Sequence, residues 1–84
     1  MEKITVKAMN GTLEQVDLIN AFKIEKLNKD FIILSKGENA GKNLNKIYIS
    51  EVVEEQPGVY KLIGISDENM WNEVKLAMKE IVEQ

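Results

Sequence analysis

The sequence has no cysteine, no histidine and no arginine, and all 11 of its basic residues are lysine. Each absence closes a class of chemistry. Without thiols there is no disulfide, no iron–sulfur cluster, no thiolate nucleophile and no thiolate zinc site. Without imidazole no side chain has an ordinary pKa near neutrality. Ser-His-Asp and Cys-His arrangements, most catalytic zinc sites and the usual haem ligand are therefore excluded. Acid–base work would fall to carboxylates, lysine or tyrosine. Without guanidinium, the bidentate clamp on phosphate or carboxylate is missing, and so is the commonest specific contact to guanine. Long hydrophobic runs are missing too. The longest uninterrupted apolar stretch is Phe31-Ile32-Ile33-Leu34, far below the roughly 18 residues of a membrane-spanning helix. The first residues, Met1 to Val6, carry no extended apolar signal segment. The expectation is a cytoplasmic protein with no membrane partner.

What is present describes one small domain over residues 1–84, with 44% hydrophobic and 30% charged residues. Fourteen acidic side chains against 11 lysines leave a formal charge of −3, opposite in sign to a nucleic-acid footprint. No internal repeat, low-complexity tract or linker divides the chain.

Hydropathy changes period once. Residues 3–9 alternate polar with apolar, placing Ile4, Val6 and Ala8 on one face of a half-buried strand. Asn10-Gly11 follows as a hairpin turn. A second strand, about 13–25, places Val16, Leu18, Phe22 and Ile24 on one face and Ile19 and Ala21 on the other. Apolar residues on both sides there mean either a strand covered on both faces or a bulge that shifts the phase. A turn at Leu27 to Asp30 leads to a strand at 31–35, and residues 36–45, rich in Gly and Asn, read as a flexible loop. Strands at 46–54 and 59–65 flank the Pro57-Gly58 turn. From about 67 to 82 the period becomes helical. Ser66 is the expected N-cap, Asp67 and Glu68 favour the positive end of the helix dipole, and Met70, Trp71, Val74, Ala77, Met78, Ile81 and Val82 form an apolar stripe. Leu76 falls on the polar side. The fold class expected is α+β: an antiparallel meander of about five strands with one C-terminal amphipathic helix packed on one face. An open sheet of this kind has two edges.

Four features invite a functional reading, and each has a simpler one. Trp71 is the single tryptophan, a residue type enriched in binding hot spots, but the helical stripe accounts for it as core. Tyr48, Tyr60, Phe22 and Phe31 could stack bases on an open sheet face, but the helix must cover one face, these aromatics are needed there, and no arginine surrounds them. Glu51, Glu54 and Glu55 lack the spacing of a hard-cation loop and read as charges that discourage edge-to-edge pairing. Gly37 to Lys42 imitates a phosphate-binding loop, yet it is one residue short, lacks the Ser/Thr that follows, and precedes a strand instead of a helix.

These residues, in order, resemble a family. The run Asn10-Gly11, then Phe22-Lys23-Ile24, then Phe31-Ile32-Ile33-Leu34 leads to Ile49-Ser50-Glu51-Val52 and to Gly58, Tyr60 and Leu62. It closes on Ile65-Ser66-Asp67-Glu68-Asn69-Met70-Trp71 with Val74, and the whole is similar to the YrzB-like proteins, small proteins of Gram-positive bacteria and their relatives. Two departures stand out: Asn69-Met70 replaces the acidic residues that usually precede the Trp, and a Lys/Asn/Gly stretch replaces an acidic middle loop. The resemblance implies a soluble, cytoplasmic, bacterial protein and carries over no catalytic residue.

The functional expectation is a non-enzymatic protein-interaction module, binding a partner protein through a sheet edge or exposed surface, or a second copy of itself through a sheet edge. No catalytic, cofactor-binding or metal-ligating residue is assigned. The alternative is weak binding of RNA or single-stranded DNA through Lys36, Lys42 and Lys46 and an open sheet face. Whether residues 36–45 order on binding is a question the sequence leaves open.

Overall fold

The computed structural model describes residues 2–8, 10–41 and 44–83. Its elements are β1 (Glu2–Lys7), β2 (Leu13–Ile24), β3 (Lys29–Ser35), β4 (Asn39–Gly41), β5 (Leu44–Asn45), β6 (Tyr48–Gln56), β7 (Val59–Ile63) and α1 (Glu68–Glu83). β1, β2, β3, β6 and β7 form the expected meander, each antiparallel to the next, with the helix packed on it. The α+β reading holds. Met9, expected at the end of the first strand, lies outside the described residues.

The meander does not stay open. β1 pairs with β7, Thr5 to Lys7 lying beside Val59 to Lys61, and the sheet becomes a closed barrel. An antiparallel meander of five strands has its first and last running the same way, so the closing pair is parallel. Closure gives β1 and β7 to each other, and the two free edge strands expected of an open sheet are corrected to a seam.

The turns follow their residue chemistry. Gly11 (φ 87°) and Gly58 (φ 80°) occupy the left-handed region that a side chain would strain. The Asn10 side chain accepts the Thr12 amide at 2.9 Å, which fixes the first turn.

Two apolar clusters share the sheet. Inside the barrel Val6, Val16, Ile32 and Leu34 are buried, with Ile4, Leu18, Tyr48, Val52, Tyr60 and Leu62 around them. Outside it, beneath α1, Ile24, Phe31 and Val74 are buried, with Phe22, Ile49, Trp71 and Met78 among their neighbours. β3 serves both clusters, which is why its apolar residues run without alternation.

β2 changes sides. The register slips between Leu18 and Asn20, so Val16 and Leu18 point into the barrel while Phe22 and Ile24 point out to the helix. Ile19 is the extra residue and is exposed. Of the two readings open for this strand, the phase-shifting bulge is the one observed at these residues. Phe22 and Phe31, opposite one another past the bulge, stack with centroids 5.8 Å apart.

The helix is capped by Asp67, not by Ser66. Asp67 Oδ1 accepts the amides of Asn69 (2.7 Å) and Met70 (3.2 Å), and its carbonyl accepts the Trp71 amide. Asp67 therefore stands just outside α1 instead of in its first turn. The apolar stripe faces the barrel through Met70, Trp71, Val74, Ala77 and Met78; the side chain of Val82 lies outside the described residues. Leu76 is exposed, as its place on the polar side requires. No helix among the described residues is long and apolar enough to cross a membrane.

Candidate functional site

Closure leaves the barrel with two mouths, each carrying a tyrosine and a carboxylate. At one, Tyr48 donates its hydroxyl proton to Glu38 Oε1 at 2.7 Å, and Lys36 Nζ lies 5.2 Å from the centre of the same ring. That hydrogen bond, with lesser help from desolvation and the Glu38 charge, raises the Tyr48 phenol above its ordinary value.

Residues 36–45, expected as a flexible loop, contain two short strands that pair antiparallel. Asn39 pairs with Asn45 and Gly41 with Leu44, and the Lys46 amide donates to the Glu38 carbonyl at 2.9 Å. Of the three lysines that motivate the nucleic-acid alternative, Lys36 covers Tyr48 beside the Glu38 carboxylate, and Lys46 is exposed. Lys42 lies outside the described residues. The four aromatic residues, expected together on the face the helix covers, are divided between two clusters. Phe22 and Phe31 stack beneath the helix, whereas Tyr48 and Tyr60 face the barrel interior.

The other mouth opens into a cleft of about 500 Å³, within the range of sites that bury a ligand. Its floor is Ile4, Leu18, Ala21, Ile32 and Val52, Phe22 and Phe31 border it, and its rim carries Glu2, Lys23, Asp30, Glu54 and Tyr60. The bulge builds it. Past Ile19 the inward position of β2 falls to Ala21, which sits opposite Ile32 and leaves room where a larger side chain would fill the barrel. The next inward pair, Lys23 opposite Asp30, brings charge to the opening. Hydrogen bonding to the Glu54 carboxylate raises the Tyr60 phenol, followed by the Glu54 charge, desolvation and the Glu2 charge.

Beside this cleft runs a length of unpaired backbone. β1 meets β2 only as far as Glu2 opposite Leu18. From Asn20 to Ile24, β2 is bonded to β3 on one side and has no strand on the other among the described residues. The Ala21 amide is taken up by the neighbouring Asn20 Oδ1 at 2.7 Å, so a side chain satisfies that donor in place of a strand.

The three glutamates grouped in the sequence separate in space. Glu51 is buried and pairs with Lys29 at 3.1 Å; Glu54 stands at the mouth; Glu55 pairs with Lys7 at 3.4 Å. Glu51 in particular is not an edge charge, because β6 is flanked there by β3 and β7. Trp71 is half-buried in the cluster under the helix, in agreement with its reading as core.

Sequence reasoning named no cleft residue as a site. Tyr60 and Glu54, weighed there as parts of other features, line the cleft, and Ala21, a small residue on the face of β2 that also carries Ile19, was a further signal. Comparison with protein-family models, curated proteins and solved structures gave no match.

Proposed function

We propose that this is a non-enzymatic interaction module that receives an extended segment of a partner protein at the Tyr60 mouth of the barrel. The observation that carries the reading is the unpaired edge Asn20–Ile24 lying directly beside an apolar cleft. A strand laid along that edge would exchange main-chain hydrogen bonds with β2 while its alternate side chains enter the cleft, the mode by which sheet edges recognise peptides. The cleft supplies depth and the edge supplies direction. The rim offers carboxylates, one lysine and a phenol raised further from neutrality, a set suited to recognition more than to proton transfer near pH 7. A cytoplasmic setting goes with the reading.

Selection of a random peptide library on the immobilised protein tests it. Enriched peptides are expected to lose binding at least tenfold when Ala21→Trp fills the cleft. Peptides that bind the variant unchanged would remove the mouth as the site, and a library that yields no enrichment would remove the module.

A further inference from the structure

Resting on that reading, we infer that the segment received at the Tyr60 mouth is basic: an apolar side chain enters the cleft between flanking lysines or arginines. The charge at the opening is unbalanced. Glu2, Asp30 and Glu54 stand there against Lys23 alone, and none of these four belongs to an ion pair among the described residues. Three carboxylates against one lysine line the mouth, and the chain as a whole is acidic.

The division of labour follows from geometry. In an added strand successive side chains point to opposite faces. The residue facing inward opposite Ala21 meets Ile4, Leu18 and Val52 on the floor, so it is apolar. Inward neighbours two positions away reach the rim, where Glu2 and Glu54 favour a cation and repel an anion. Tyr60, its phenol protonated and beside Glu54, offers the stem of such a cation an aromatic surface at the same opening. An acidic or neutral segment would find the floor but not the rim.

The selected pool and one double variant decide the matter. Peptides sensitive to Ala21→Trp are expected to carry Lys or Arg two positions either side of an apolar residue. Their affinity should fall about tenfold or more between ~50 mM and ~500 mM salt, where screening shortens the reach of rim charges. Glu2→Lys combined with Glu54→Lys, its folding verified by Trp71 fluorescence and circular dichroism, should weaken them at least tenfold and favour acid-flanked counterparts. If Ala21→Trp-sensitive peptides prove neutral or acidic, the charge inference falls while docking at the mouth stands. If light scattering shows a dimer that Ala21→Trp dissolves, a second copy is the occupant and the basic segment is overturned. If no peptide is sensitive to Ala21→Trp, the underlying reading falls with it.

Discussion

Replacing Lys29 by methionine is expected to destabilise the protein far more than a surface lysine should. Lys29 Nζ lies 3.1 Å from Glu51 Oε2; the glutamate side chain is 10% exposed and the lysine 38%. Glu51 occupies the face of β6 between Phe31 on one side and Ile63 on the other, so the carboxylate has little water to fall back on. Removing one partner of a fully buried pair costs about 3–5 kcal/mol. The partial exposure of Lys29 lowers the expectation here to about 2 kcal/mol. For a domain of 84 residues the total stability is of order 4–13 kcal/mol, and the melting temperature should drop by roughly 8–16 °C. The double variant Lys29→Met/Glu51→Leu should recover most of that loss, since an apolar pair of similar volume needs no hydration. Urea unfolding followed by Trp71 fluorescence gives all four corners of the cycle. A coupling below about 0.5 kcal/mol would refute the argument and show that Glu51 is solvated.

Two further outcomes follow from local geometry. Asp67→Ala should cost about 1 kcal/mol by removing the helix cap, while Ser66→Ala stays within about 0.5 kcal/mol; equal effects in thermal unfolding would contradict the assignment. Tyr48 and Tyr60 both hold their protons more tightly in the folded state than the ordinary phenol does. As pH rises from about 10, unfolded chains lose those protons first. The stability these groups contribute is thus complete below the ordinary phenol value and is lost as pH climbs through the raised one. Denaturant midpoints should fall over that window, and Tyr48→Phe/Tyr60→Phe should flatten the slope.

Local features were legible and their closure was not. The alternation of Ile4, Val6 and Ala8, the turns at Asn10-Gly11 and Pro57-Gly58, and the stripe from Met70 to Met78 are consequences of periods two and 3.6, and each element stands where its period places it. The bulge at Ile19 left a trace as apolar residues on both sides of β2. The pairing of β1 with β7 left none, because partners more than half the chain apart impose no local pattern. Composition misled at residues 36–45, where glycine and asparagine suggest mobility yet Asn39–Gly41 and Leu44–Asn45 pair as short strands. It misled again at Glu51, Glu54 and Glu55, since adjacency in sequence says nothing about which side of a strand meets water. The candidate site was hidden for the same reason as the seam: its floor comes from β1, β2, β3 and β6, one or two residues from each.

The seam also sets an order of events during synthesis. β1 leaves the ribosome early and can pair at once with β2, but its other flank waits until Val59 to Lys61 have been translated. Until then Val6, Val16, Ile32 and Leu34 line a trough instead of a closed interior, and the lap that seals it is only three residue pairs long. From the emergence of β1 to that of β7 a nascent chain therefore carries these four side chains without their full cover, and the long-range seam forms only after the local hairpins can.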